Sequence, residues 1–187
     1  MASNLSYQKY DPAWGARPVR STEKQPVFDF LRQTAAAHPK NTALIFLHHR
    51  LNYGDLDLYS DRVAAHLAAL GLKKGDRVAA MLPNCTQHVI AIYGILKAGG
   101  VMTPFNVMLK EQETTFILEH SGARAIFCLD LLAPMVMSAA KKLGMIEVIS
   151  IHAKDFSEPG AKIPPLLAMD KNPIPGALDF MDLIGAD

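Results

Sequence analysis

The side chains that could do chemistry are few and scattered. Cys85 and His88 stand three residues apart in a stretch with helical patterning, so the thiol and the imidazole lie within reach of each other. Nucleophilic catalysis would also need a group to orient the base, and no G-x-S-x-G elbow or equivalent partner accompanies them. Chance proximity on one helical turn is the simpler reading. His48 and His49 are adjacent, which aims their rings in different directions on a strand or turn, and no third ligand lies nearby. They read as solvated turn residues. The two cysteines, Cys85 and Cys128, are not in a C-x-x-C pair or at zinc-ligand spacing, so they read as buried thiols of a reducing compartment. No metal site is expected. The nine methionines, Met135 and Met137 among them, read as core fillers.

Phosphate chemistry fares no better. No G-x-x-x-x-G-K-[ST] is present to cradle a nucleotide's phosphates, and no G-x-G-x-x-G follows a strand pattern. The glycines and lysines of Gly71-Leu72-Lys73-Lys74-Gly75-Asp76 fall between a helix and a strand, at the end of a parallel sheet opposite the usual ligand edge, so they read as a tight connection. Asn84 and Asn106 are the candidates left. Each follows the end of a predicted strand, where open α/β sheets place ligands, and each could line the rim of a substrate cleft. Simpler roles compete: Asn84 as the N-cap of the next helix, with Gln87 reaching back, and Asn106 as a turn residue.

The elements around these residues are legible from periodicity. Pro26 opens a helical pattern with Val27, Phe30, Leu31 and Thr34 on one face, closed by Pro39. Short apolar runs from Thr42 to Leu47 and from Leu51 to Tyr53 predict a small β-hairpin turning at His48, His49 and Arg50, with Gly54 breaking the second strand. Leu56, Tyr59, Val63, Leu67 and Leu70 predict an amphipathic helix ending at Gly71. From Arg77 to Ile151, strand and helix then alternate. Strands are expected over 77–82, 101–105, 125–129 and 147–151, with helices between them, the one after Asn84 apolar all round and therefore largely buried. Short connections in such an alternation predict β-α-β units in a mostly parallel sheet with right-handed crossovers, a layered αβα fold of the α/β class. Residues 26–152 would form this unit. Residues 1–25 lack apolar periodicity and read as an extended arm, which Tyr10 and Trp14 could anchor. Residues 153–187 hold five of the 12 prolines and read as a linker or surface-hugging tail, with a brief amphipathic segment from Leu178 to Ile184 that could dock back.

Composition narrows the function classes. Of 187 residues half are apolar, enough for a sizeable core, and 19 basic against 18 acidic residues give a net charge of +1, with no field to attract nucleic acid or anionic lipid. No apolar stretch is long enough to span a bilayer, and the N-terminus lacks a signal-peptide core, so a cytoplasmic address is expected.

Taken in order, several segments resemble the adenylate-forming superfamily of acyl-CoA synthetases, luciferases and peptide-synthetase adenylation domains. They are Leu51-Asn52-Tyr53-Gly54-Asp55-Leu56; Gly71 to Ala79 running on to Leu82-Pro83-Asn84; Gly94 to Val101 leading to Pro104-Phe105-Asn106; and Ile117 to Arg124 before a strand. The likeness spans about Val27 to Ile151, and its specificity lies in the order and spacing of the segments. The family's phosphate loop, its adenine and magnesium segment, its ribose-binding aspartate and its catalytic lysine match nothing here, so no catalytic or cofactor-binding residue carries over.

What the resemblance implies is the N-terminal part of an acid-thiol ligase, inactive alone. The parent would convert a carboxylate and ATP, with magnesium, into an acyl-adenylate and then a thioester of coenzyme A. The Tyr10-Asp11-Pro12 arm resembles those of long- and medium-chain fatty-acid ligases, implying a fatty-acid substrate and a possible homodimer through the arm, besides the remainder of the synthetase as partner. Two other readings remain from the residues: a non-enzymatic dimerisation or interaction module of the same fold, and a flavodoxin-like nucleotide-binding module.

Overall fold

The computed structural model describes residues 25–144, 147–158, 160–163, 170–171 and 173–185. The expected arm, apart from Gln25, lies outside the described residues, as do Pro159, Pro164 and Pro165 of the proline-rich stretch. Helix α1 (Val27–Ala37) precedes a hairpin of β1 (Thr42–Phe46) and β2 (His49–Asn52), then helix α2 (Tyr53–Ala69). The alternating part follows as β3 (Arg77–Met81), α3 (Thr86–Lys97), β4 (Val101–Pro104), α4 (Glu111–Ser121), β5 (Ala125–Leu129), α5 (Ala133–Leu143) and β6 (Glu147–Ile151). Strand β7 (Leu178–Asp179) and the short helix α6 (Phe180–Ile184) complete it.

The hairpin is antiparallel and the main sheet is parallel throughout, in the order β4-β3-β5-β6-β7. Its central strands are covered on both faces, which is why β5 reads as an unbroken apolar run and is buried at every position. Side chains alternate between two cores. Val78, Ala80, Phe127 and Ile149 meet α2, α3 and α6 on one face, while Ala79, Met81, Ile126 and Cys128 meet α4 and α5 on the other. The chain leaves β3 for β4 with α3 on the first face, then returns past β3 to β5 with α4 on the second. That reversal creates a topological switch point between β3 and β5.

The layered α/β fold is as read from the sequence, and four details differ. Val27 and Phe30 are 61% and 53% exposed, because α1 turns Leu31 and Ala35 inward instead. Gly54 does not break a strand: α2 starts one residue earlier, at Tyr53, after Asn52 caps it by accepting from Asp55 N–H at 2.7 Å. The hairpin turns at Leu47 and His48, both at positive φ, so His49 already belongs to β2. And β6 is not the last strand. Two residues of β7 pair with Ile149 and Ser150, and Phe180 and Ile184 of α6 are fully buried, so the region after the prolines supplies core residues.

The α2–α3 contact sets the thickness of the first layer. A Cβ on Gly94 would meet Val63 Cγ1 at 2.4 Å and the Ser60 carbonyl at 3.1 Å, so only a residue without a side chain fits where the helices cross. The end of the same contact is pinned by charge. The Lys97 side chain is 1% exposed, and its Nζ donates to the Asp57 carbonyl at 2.9 Å, Asp57 Oδ1 at 2.6 Å and Asp61 Oδ1 at 2.8 Å, one acceptor for each proton.

Two outcomes are expected from this packing. Gly94→Ala should lower stability by about 1–2 kcal/mol net, overpacking outweighing the gain in helix propensity; an unchanged urea midpoint would mean the helices part at no cost. Lys97→Ala should cost about 1–3 kcal/mol, below the value for a fully buried pair because Asp57 and Asp61 keep partial access to water, and Lys97→Met should cost less because its stem still packs. Equal midpoints for the two variants would contradict the packing contribution.

Candidate functional site

All strands of a parallel sheet end on one edge, so the residues that follow them are brought together by topology alone. Here the edge carries Pro83 and Asn84 after β3, Phe105 and Asn106 after β4, Asp130 after β5 and His152 after β6. Because β3 and β4 are neighbours, Asn84 and Asn106 do sit on adjacent strand ends, and both are exposed. Asn106 is a turn residue: its Oδ1 accepts from Met108 N–H at 2.9 Å. Asn84 is not the helix cap expected. Helix α3 starts two residues later, with Cys85 in the N-cap position, which leaves Asn84 exposed on this edge. Gln87 does not reach back either; it is fully buried, and its Nε2 donates to the His152 carbonyl at 2.9 Å.

No hydrogen bond joins the Cys85 thiol to the His88 ring. The His88 ring nitrogen Nδ1 lies 3.0 Å from the Pro83 carbonyl. Burial pushes the Cys85 thiol up to about 11, against the opposing pull of the backbone amides of His88 and Gln87. Cys128 is sealed in the second core, where burial and then the nearby Asp130 charge push it up to about 12. His48 is exposed in the turn, whereas His49 packs on Phe156 and its Nδ1 lies 3.0 Å from Glu158 Oε1. Among the described residues no group of three or more His, Cys, Asp or Glu is placed to hold a metal ion. The loop 71–76 is the tight connection read from the sequence, with Asp76 Oδ2 accepting from Lys73 N–H at 2.9 Å.

The sequence reading missed a polar cluster on this edge. His152 Nδ1 lies 2.7 Å from Asp130 Oδ2, both nearly buried, and the His152 backbone N–H donates to Asp155 Oδ2 at 3.2 Å. Burial raises the Asp155 carboxyl above its ordinary value although Lys171 Nζ stands 3.0 Å away. Lys171 also reaches Asp179, so the cluster ties the segment after the prolines to the sheet edge. Asp130 and His152 each directly follow a strand, the only signal that could have paired them, and it needed the β5–β6 adjacency that periodicity does not supply. A cavity of about 740 Å³ lies elsewhere, bordered by Leu70, Leu72, Arg124, Lys141 and Glu147 at the amino ends of β5 and β6. It sits opposite the edge that open α/β sheets use; topology favours the carboxyl edge.

A doubly wound α/β layer with a polar carboxyl edge at its switch point defines the class of architecture. The chain matches the model of the AMP-binding enzyme family over residues 31–174 and belongs to that family. A long-chain-fatty-acid–CoA ligase of Bacillus subtilis (strain 168) is 39% identical over 127 residues, which are 67% of this chain and 22% of that protein. One from Escherichia coli O157:H7 is 33% identical over 145 residues, 77% of this chain and 26% of the ligase. A benzoate CoA ligase structure from Burkholderia xenovorans LB400 shares the fold with a TM-score of 0.67 at 24% identity, over 85% of this chain and 28% of that one. A fatty acyl CoA synthetase of Mycobacterium tuberculosis gives a TM-score of 0.61 at 28% identity, over 73% and 30%. The chain thus spans about a quarter of the length of these relatives. No described helix is long and apolar enough to cross a membrane.

The buried thiols give a direct check. At pH 8 about one Cys85 in a thousand would be thiolate, so alkylation of the folded protein should be at least a hundredfold slower than in denaturant and should accelerate as the pH approaches 11. Rapid labelling of the native protein at pH 8 would contradict the burial.

Proposed function

We propose that this chain is the N-terminal part of a fatty-acid–CoA ligase. Residues 26–152 would be its αβα subdomain, residues 1–25 an arm available for homodimer contacts, and residues 153–187 the passage toward the phosphate loop, in a cytoplasmic enzyme. In the whole protein a carboxylate oxygen attacks the α-phosphorus of ATP, the bond to the β-phosphate breaks and pyrophosphate leaves; the thiol of coenzyme A then attacks the acyl carbon and releases AMP. Magnesium would offset the phosphate charge. The observation that carries this reading is the 39% identity to the Bacillus subtilis ligase across two thirds of the chain. Asn84 and Asn106 would contribute to the rim of the cleft, since both stand exposed on the carboxyl edge.

The chain alone is proposed to be inactive. Its sequence has no match to the Ser/Thr/Gly-rich phosphate loop that the resemblance implies for the whole enzyme, and it covers 22% of the length of the Bacillus ligase. Pyrophosphate release should be measured with ATP, magnesium and a fatty-acid panel, on this chain and on a version extended through the downstream coding sequence. Release by the extended protein alone is expected. Release by the short chain would overturn the inactivity, and silence of both with an extension lacking a phosphate loop would overturn the ligase reading.

A further inference from the structure

A continuous run of hydrogen bonds ties the carboxyl edge of the main sheet together, and its far end lies in a segment with little hold of its own. Strand β7 pairs with β6 through two residues, and α6 is five residues long, too short to be stable without packing. Asp179 ends β7 and caps α6, its Oδ1 accepting from Met181 N–H at 2.9 Å. Lys171 Nζ stands 2.9 Å from the same Oδ1 and 2.8 Å from Oδ2, and it donates to Asp155 Oδ1 at 3.0 Å. Lys171 thus joins the end of β7 to the turn that follows β6.

That turn passes the contact on. The Asp155 side chain is 7% exposed; its Oδ2 accepts from His152 N–H at 3.2 Å, and Asp155 N–H donates to the His152 carbonyl at 3.1 Å, so the two residues lock each other. The same carbonyl accepts from Gln87 Nε2 at 2.9 Å, and the His152 ring meets Asp130 at the end of β5. Gln87 is fully buried and its Oε1 has no partner among the described residues, so a single hydrogen bond fixes its amide. Losing that bond would leave the whole amide buried and unmet, which is costly, so the first turn of α3 must follow the His152 carbonyl. Gln87 is the second residue of α3 and stands three residues from Asn84.

We propose that Lys171 is a positioning residue of the ligase: by bridging Asp155 and Asp179 it sets the turn 152–155, and through the His152 carbonyl and Gln87 it fixes the first turn of α3 and the rim at Asn84. This inference rests on the ligase reading. A lysine that only fastened β7 and α6 would leave Gln87 and His152 undisturbed when removed, which separates the two roles.

The test compares Lys171→Met, Lys171→Arg and Asp179→Ser in this chain by hydrogen exchange read from NMR spectra. Asp179→Ser removes the lysine's partner while a serine can still cap α6. Lys171→Met and Asp179→Ser should each speed exchange of the His152 backbone amide and the Gln87 side-chain amide at least about tenfold. Lys171→Arg should keep both near the unsubstituted rate, because a guanidinium can span the two carboxylates. Faster exchange confined to residues 178–184, with His152 and Gln87 unchanged, would overturn the proposal. In the version extended through the downstream coding sequence, Lys171→Met should raise the KM for the fatty acid at least about fivefold and leave kcat within about twofold, the split expected of a loosened rim. An unchanged KM, or a fall in kcat alone, would overturn the proposal as well. Silence of the unsubstituted extended protein would instead overturn the ligase reading, and the reaction role with it, whatever the exchange shows.

Discussion

Burial of the central strands on both faces is the constraint from which the rest of this molecule follows. A strand such as β5, with every residue inside, cannot be stabilised by one helical layer, so the chain must lay helices on both sides. Given the strand order β4-β3-β5-β6, right-handed crossovers then put α3 against one face and α4 and α5 against the other. The switch point between β3 and β5, and the gathering of four strand-end loops on one edge, are consequences of that covering rather than separate inventions.

Several residues of the segments that mark the family hold the scaffold together. Asn52 caps α2 and exchanges a second hydrogen bond with Asp55; Gly94 lets α2 and α3 touch; Lys97 fastens that contact. Gly99 ends α3 at positive φ, Gly122 ends α4 in the left-handed conformation, and the Arg77 guanidinium donates to the Ser121 carbonyl at 2.6 Å beside it. Each residue meets a steric or hydrogen-bonding demand that few others could meet. A family signature can therefore be strong where residues serve packing, because packing constrains residue type as tightly as chemistry does.

Where local pattern decides structure, the sequence was readable. The all-round apolar character of the 86–97 stretch announced a buried helix, and the unbroken run at 125–129 a doubly covered strand. Where a distant contact decides, it was not. Asn84 lost the cap because the helix begins at Thr86, and Gln87 is spent on the His152 carbonyl 65 residues away. Phe30 points to solvent because α1 rotates to bury Leu31 and Ala35. The Asp130–His152 pair needs knowledge of strand order, and β7 needs a partner strand to exist at all, since two residues carry no periodicity.

Arg62 shows what such a distant contact does to the order of events. Its guanidinium on α2 donates to the carbonyls of Ile184 and Gly185, satisfying the end of α6, and the two partners are more than a hundred residues apart. A five-residue helix cannot nucleate by itself in water. Helix α6 and the strand before it must therefore be late arrivals, templated on a surface that α2 and β6 have already built. During synthesis α2 would wait while more than a hundred further residues emerge, and the layer it belongs to stays incomplete until then.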